Sequence, residues 1–123
     1  MARLSHIALV ITVNVLLLMC ILAEEERYND KYDNSNYLAT LNNKTLREAY
    51  YNCFMKIAPC QTHQQTVITG MFSEAYQTNC KKCTEKQKEK IAAVQDWFQK
   101  NEPDKWQLIV AKTAEDMKKK ATQ

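Results

Sequence analysis

Four cysteines in two closely spaced pairs constrain this chain more than any other feature of its sequence. Six residues separate Cys53 from Cys60, and two separate Cys80 from Cys83. The chain's fifth cysteine, Cys20, lies in an apolar run near the N-terminus. The two pairs could form a zinc site, a redox-active dithiol or structural disulfides, and each alternative predicts a different fold and a different chemistry.

The N-terminal region indicates the compartment. A charged Arg3 precedes an apolar run of 16 residues, and three glutamates follow Ala23, which is the layout of a cleaved secretory signal peptide. The run is short for a helix that crosses a membrane, and an asparagine lies at its centre. We therefore expect residues 1–23 to be a signal peptide and residues 24–123 to form one domain, secreted into the extracellular fluid.

A short secreted chain with an even number of cysteines favours disulfides, with three possible connectivities for four cysteines. The six-residue spacing of the first pair is wide for a structural zinc site, and no strand precedes the second pair as a thioredoxin-like motif requires. Bridges between sequence neighbours would close loops of 8 and 4 residues. Their stabilisation would be about 2.5 and 1.9 kcal/mol, and bridges this local leave helices free to shift apart around a ligand.

Charge and residue content argue against several functions. Residues 24–123 carry 16 Lys and Arg against 14 Asp and Glu, a net charge of +2 that gives no reason to expect a nucleic-acid partner. His63 is the one histidine in this part of the sequence, and no nucleophile–histidine–acid set is visible. A single glycine cannot build a phosphate-binding loop. We expect no enzymatic activity, no metal site and no cofactor.

The remaining pattern predicts an all-α fold. Residues 24–123 contain one glycine and two prolines, show no alternating strand pattern, and repeat apolar residues at helical spacing. We expect a single domain of five or six amphipathic helices. A polar arm over residues 24–34, extended or mobile, precedes a short helix in the NYLATL sequence.

Capping residues and prolines predict where the helices begin and end. Asn43 suits the N-cap of a helix that Pro59 ends; Asn43 also begins an N-glycosylation sequon, and we favour the cap. Thr62 suits the N-cap of a longer helix. The TEKQ sequence from Thr84 is a capping box, and Pro103 suits the first turn of the last helix. The lysine-rich tail is either helical or frayed.

Four segments carry a more specific signal. In chain order they are KYDN from Lys31, YYNC from Tyr50, CKKCTEKQK from Cys80 and FQKNEPDKWQLI from Phe98. Together with the cysteine spacing, they resemble the insect chemosensory protein family, also called the olfactory-segment-D-like family. The family's spacing is C-x6-C-x18-C-x2-C, and the middle interval of this chain is one residue longer. That extra residue can shift the register of the helix that contains Gly70.

The resemblance implies a six-helix bundle with disulfides Cys53–Cys60 and Cys80–Cys83. It also implies an internal hydrophobic channel that holds fatty alcohols, fatty acids or other lipids that resemble pheromones and odorants. Near the C-terminus the family has a Tyr-Asp-Pro segment. This chain has AKTAEDMKKKATQ in that place, which bears on whether its tail can cap the channel.

Apolar and aromatic residues of several helices are the candidates for lining this channel. The resemblance implies that Tyr50 and Trp106 are channel-side aromatics, and the Tyr50 hydroxyl is a candidate hydrogen-bond partner for a ligand head group. Each candidate is equally compatible with ordinary core packing. The predicted ligand-binding residues are Leu46, Tyr50, Ile68, Phe72, Ile91, Val94 and Trp106.

The sequence therefore predicts a secreted, monomeric carrier of small hydrophobic molecules, with a membrane receptor as a further partner for ligand delivery. Two alternatives stay open. The basic KKCTEKQKEK and MKKK segments suit a membrane-active defence protein, although acidic residues interleave with the lysines and favour a solvated surface. A secreted signalling or developmental factor needs no ligand at all.

Overall fold

The computed structural model describes residues 13–15 and 26–122 of the chain. Within residues 26–122 the chain forms five α-helices and no strand, which confirms the all-α prediction. The helices are α1 (Tyr37–Asn42), α2 (Lys44–Phe54), α3 (His63–Gln77), α4 (Glu85–Asn101) and α5 (Pro103–Ala121). The predicted signal peptide lies outside the described residues, apart from residues 13–15, which are helical. No helix in the described part of the chain is long and apolar enough to span a bilayer.

The predicted capping residues begin the helices. The side-chain oxygens of Asn43 and Thr62 each accept a hydrogen bond at 3.1 Å from the backbone N–H three residues on, which starts α2 and α3. Thr84 and Gln87 form the reciprocal hydrogen bonds of a capping box at the start of α4. Pro103 is the first residue of α5, and the tail is helical to its end at Ala121. The N-termini of these helices are set by nearby residues, because each cap satisfies backbone donors that the helix itself leaves free.

The prediction that Pro59 ends α2 is wrong, because the helix already ends at Phe54. Lys56 adopts a left-handed φ of 61°, and the N–H of Ile57 donates to the carbonyl of Asn52 at 2.9 Å. This is the hydrogen-bonding pattern of a Schellman motif, which usually places glycine where this chain has lysine. The chain therefore turns back before it reaches the proline.

Two disulfides hold local corners of the fold. Cys53 and Cys60 are bonded, with Cα atoms 4.7 Å apart, and Cys80 and Cys83 are bonded, with Cα atoms 4.9 Å apart. This confirms the pairing that the family resemblance implies. The first bridge joins the end of α2 to the loop before α3, and the second lies in the loop between α3 and α4. Neither bridge joins one helix to another.

The predicted extended or mobile arm is instead folded against the helices over its described part, residues 26–34. The Tyr28 N–H donates to the Lys82 carbonyl at 2.9 Å. The two carboxylate oxygens of Asp33 accept hydrogen bonds from the two capping-box side chains of α4, at 2.6 and 3.0 Å. A carboxylate at the N-terminus of a helix is also favoured by the helix dipole. The KYDN motif therefore attaches the arm to α4.

Aromatic rings dominate the core. The Phe54 ring meets the edge of Phe72 at 5.3 Å between centroids, and Tyr76 meets Trp106 at 5.5 Å. The fully buried Thr113 of α5 accepts a hydrogen bond from the side chain of Gln77 at 2.8 Å, and α3 and α5 pack against each other there. The buried cluster consists of Leu41, Phe54, Phe98, Trp106 and Ile109.

Candidate functional site

A partly open cavity of about 150 Å³ lies between the helices, and we call it the apolar cavity. All five helices contribute to its wall, which is mostly aliphatic and aromatic. The fold therefore assembles from distant parts of the sequence a surface that no single helix could provide. Its wall residues are Ser35, Tyr37, Thr40, Leu41, Arg47, Tyr50, Tyr51, Phe54, Gln64, Ile68, Thr69, Phe72, Lys90, Val94, Phe98 and Ile109.

The structure brings four of the seven predicted ligand-binding residues into this wall. They are Tyr50, Ile68, Phe72 and Val94. The other three do not line the cavity in the described structure. Leu46 is 42% exposed near the start of α2, Trp106 is buried against Tyr76 in the core, and Ile91 is half-buried. A ligand-binding role for all seven stays a prediction.

Several wall residues were not among the predicted ones. Tyr51, Phe54, Phe98 and Ile109 belong to apolar or aromatic stripes at helical spacing, so the sequence does contain a signal for them. Arg47 and Lys90 have no such signal. A single cation on an amphipathic helix predicts a solvated side chain, and only the fold shows that these two reach the cavity.

Arg47 lies between three helices. Its guanidinium group stacks over the Trp97 ring of α4, 4.1 Å from the ring centroid. Its Nη1 atom donates to the Leu41 carbonyl at the end of α1, at 2.6 Å. Its Nε atom is buried and has no hydrogen-bond partner in the described structure. A cation–π contact and one hydrogen bond therefore fix the group but leave a donor unused.

Lys90 is the second cation of the wall. Its Nζ atom donates to the carbonyl of Tyr32 at 2.6 Å and to the hydroxyl of Ser35 at 3.1 Å. Burial lowers the pKa of the Lys90 ammonium, and the nearby Asp33 carboxylate opposes part of that effect. These two hydrogen bonds join α4 to the chain just before α1.

Tyr50 is a half-buried residue of the cavity wall. Burial raises the pKa of Tyr50, and the neighbouring Tyr32 adds to the effect, so the phenol stays protonated at neutral pH. Its hydroxyl makes no hydrogen bond to another described residue. The group is therefore available as a donor to a molecule in the cavity.

A second space lies on the other side of α3, and we call it the polar groove. Its volume is about 810 Å³, and its wall includes Glu74, Asp116, Lys82 and Lys120. The Glu74 carboxylate accepts hydrogen bonds from Lys120 and from the Tyr28 hydroxyl, the latter at 2.8 Å, and Lys82 lies 3.6 Å away. The hydrogen bond from Lys120 is the largest cause that lowers the pKa of Glu74 to about 2. Glu74, Lys82 and Lys120 of this groove are therefore linked by ion pairs.

No group of side chains suited to a metal ion occurs in the described part of the chain. The two spaces thus differ in what they could hold. The polar groove offers paired charges, and the apolar cavity offers aromatic and aliphatic walls with a few polar groups. Sites for small apolar ligands have the second character.

Comparisons with known proteins agree with this architecture. Residues 28–121 match the sequence model of the insect pheromone-binding family, A10/OS-D. Ejaculatory bulb-specific protein 3 of Drosophila melanogaster is 30% identical over 98 residues, which are 80% of this chain and 77% of that protein. Allergen Tha p 1 of Thaumetopoea pityocampa is 29% identical over 87 residues, which are 71% of this chain and 68% of that protein.

A solved structure is also similar. It is a chemosensory protein in complex with bromo-dodecanol, with a TM-score of 0.67 and 36% sequence identity, and the match covers 73% of this chain and 89% of that chain. Together with the family match, it confirms the resemblance predicted from the four motifs.

The matched residues include all five helices and both disulfides, and the family is one of binding proteins rather than enzymes. The chain is therefore a member of the insect pheromone-binding family, A10/OS-D.

Proposed function

We propose that this protein is a secreted carrier that holds a small hydrophobic molecule in the apolar cavity. The observation that carries the proposal is the wall itself, which five helices build from mostly apolar side chains in a member of a pheromone-binding family. The bromo-dodecanol complex of the similar chemosensory protein supports a long-chain alcohol or a related lipid as the class of ligand. The receptor, secretion and monomeric state expected from the sequence belong to this proposal.

The apolar cavity is favoured over the polar groove because of the free energy of removing an alkyl chain and the wall from water. Each methylene buried from water contributes about 0.8 kcal/mol, which is roughly a fourfold gain in affinity per methylene. An alkyl chain in the polar groove would instead strip water from Glu74, Lys82 and Lys120 without replacing their hydrogen bonds. The groove is the larger space, but the cavity has the walls that suit an alkyl chain.

The cavity has to enlarge when it is loaded. Its volume of about 150 Å³ is smaller than the roughly 300–1,000 Å³ of typical small-molecule sites. Both disulfides close local corners and leave the helices free to move apart. Ile68, Phe72 and Val94 contact the chain in this proposal, whereas Leu46, Ile91 and Trp106 reach it only in an enlarged cavity.

A titration with straight-chain alcohols from hexanol to octadecanol tests the proposal. The full sequence is expressed in insect cells, and the oxidised protein is recovered from the medium, which tests secretion as well. We expect saturable quenching of tryptophan fluorescence, with affinity that rises with each methylene and then levels off once the cavity is full. Absence of saturable binding at any length would contradict the carrier function.

The membrane-active alternative gives a different result. A surface-active protein would release dye from vesicles of anionic lipid at concentrations at which alcohols do not bind. A carrier would leave the vesicles intact. The same preparation serves both measurements, so the two functions can be separated directly.

A further inference from the structure

The apolar cavity carries positive charge that nothing in its wall offsets. Arg47 and Lys90 are wall residues, and among the described residues of the wall there is no aspartate or glutamate. The polar groove has three lysines in its wall, but Glu74 and Asp116 accompany them. A site for a neutral alcohol does not need two cations, so the charge calls for an explanation.

Arg47 retains hydrogen-bonding capacity. A guanidinium group has five N–H donors in a planar fork, and the bond to the Leu41 carbonyl uses Nη1. The Nε atom is buried without a partner, which is costly for a charged donor. Stacking on Trp97 holds the plane of the fork in place. Arg47 is therefore oriented before any ligand binds.

Lys90 is more fully engaged. Its ammonium group donates to Tyr32 and to Ser35, and it lies 5.9 Å from the centre of the Tyr37 ring. It precedes Trp97 by seven residues, which is about 10 Å along the axis of α4. The two cations therefore occupy different positions along the wall. The Nη2 atom of Arg47 makes no hydrogen bond to a described residue and is the donor open to a ligand, whereas Lys90 contributes mainly its charge.

We infer that Arg47 binds the carboxylate of a fatty acid whose chain lies in the apolar cavity, so that this protein prefers fatty acids to neutral lipids of the same length. The inference rests on the proposed function, because the cavity must hold the alkyl chain. A carboxylate accepts two parallel hydrogen bonds from a guanidinium fork, and such charge-assisted bonds are about twice as strong as neutral ones. Lys90 adds attraction from a distance, and the Tyr50 hydroxyl is a further donor to the head group.

The test compares three ligands that share one chain. Dodecanoate, dodecanol and methyl dodecanoate are titrated into the oxidised protein at pH 7 by calorimetry, below their aggregation limits. We expect dodecanoate to bind about tenfold more tightly than the other two. If dodecanol binds and dodecanoate binds no better, the inference is overturned while the carrier function stands. If none of the three binds, the carrier function itself has failed.

Variants locate the effect. Arg47→Gln brings the ratio of dodecanoate to dodecanol affinity down to about one, because the positive charge and the guanidinium fork are both lost. Arg47→Lys keeps the charge but loses the fork, and restores only part of the ratio. Lys90→Gln lowers the ratio about twofold. A ratio that survives Arg47→Gln would overturn the role of this residue.

Lys105 provides the matched control. It also lies over a wall aromatic, 5.0 Å from the centre of the Tyr51 ring, but it is not a wall residue. Lys105→Gln removes one positive charge and leaves the ratio unchanged. If Arg47→Gln does not fold, the unmodified protein still tests the inference. Equal affinities for dodecanoate and methyl dodecanoate would contradict it.

Discussion

The two sides of α3 face spaces of different character, since the wall of the polar groove is mixed and that of the apolar cavity is almost wholly apolar. Ile68 and Phe72 point into the apolar cavity, and Val67, Met71 and Glu74 line the polar groove. The groove has about 810 Å³ and the cavity about 150 Å³. If volume decided, the groove would be the ligand site. The chemistry of the walls indicates the opposite, because an alkyl chain gains free energy only where it displaces water from apolar surface.

The polar groups of the two spaces also have different roles. In the groove, Glu74 joins the N-terminal arm through Tyr28, the loop of the second disulfide through Lys82, and the end of α5 through Lys120. Those contacts hold the fold together. In the cavity, Arg47 and Tyr50 keep donors without a partner among the described residues. The two spaces therefore differ in hydrogen-bonding capacity: Arg47 and Tyr50 retain some, whereas the Glu74 carboxylate in the groove accepts hydrogen bonds from Tyr28 and Lys120.

The largest expected effect compares neighbours on α3. Phe72→Ala removes a ring that meets Phe54 edge-on at 5.3 Å and stacks on Tyr76 at 6.2 Å, and we expect the free energy of unfolding to fall by about 3 kcal/mol. Met71→Ala, in the groove wall, costs about 1 kcal/mol. Urea unfolding measures both. Equal losses would contradict the view that the core lies on the cavity side.

A bulky side chain placed in either space shows which of the two holds the ligand. Ile68→Trp places a large ring in the apolar cavity, and we expect dodecanol affinity to fall at least about tenfold, since most of the free volume is taken. Val67→Trp adds the same ring to the groove wall and leaves affinity unchanged. Calorimetry measures the dodecanol affinity of both variants. A loss of dodecanol affinity in Val67→Trp alone would indicate that the ligand binds in the groove.

Low pH is expected to destabilise the fold by protonating Glu74 in the polar groove. Its pKa is lowered from 4.5 to about 2, so its ionised form stabilises the fold fully above pH 4.5, and this contribution is lost as the pH falls toward 2. Glu74→Gln lowers the free energy of unfolding by about 1 kcal/mol at pH 7. It also makes stability less steep between pH 4.5 and pH 2. Identical pH profiles for the variant and the unmodified protein would argue against this role.

The smallest expected effect concerns the hydroxyl of Tyr50. Tyr50→Phe keeps the ring and removes a single donor, so we expect a loss of about threefold in dodecanol affinity. Tyr51→Phe is the matched control, because the adjacent Tyr51 also lines the cavity. Unchanged alcohol affinity in Tyr50→Phe would exclude a hydrogen bond from Tyr50 to the head group.

Sequence reasoning succeeded for the fold where the determinants are local. The caps at Asn43, Thr62 and Thr84 act within one turn, so each is visible in a few letters. It failed at the end of α2, where Lys56 takes a left-handed conformation without the glycine that usually signals it. It also failed for the arm, because the partners of Asp33 lie 51 and 54 residues away.

The candidate site was only partly predictable for a related reason. Helical spacing identifies the face of a helix that is buried, but it does not tell which part of that face meets a neighbour and which part meets empty space. Ile68 meets the cavity, whereas Trp106 fills the core against Tyr76. Arg47 reaches the wall because it stacks on Trp97, a contact between helices that spacing cannot show.

Nuclear Overhauser effects between dodecanol and the labelled side-chain methyl groups of the oxidised protein show directly which space holds the alkyl chain. We expect contacts from the alkyl chain to Ile68, Val94 and Ile109, which line the apolar cavity. We expect none to Val67, Met71 or Met117, which line the polar groove. Contacts to this second set with none to the first would contradict the claim that the apolar cavity is the binding site.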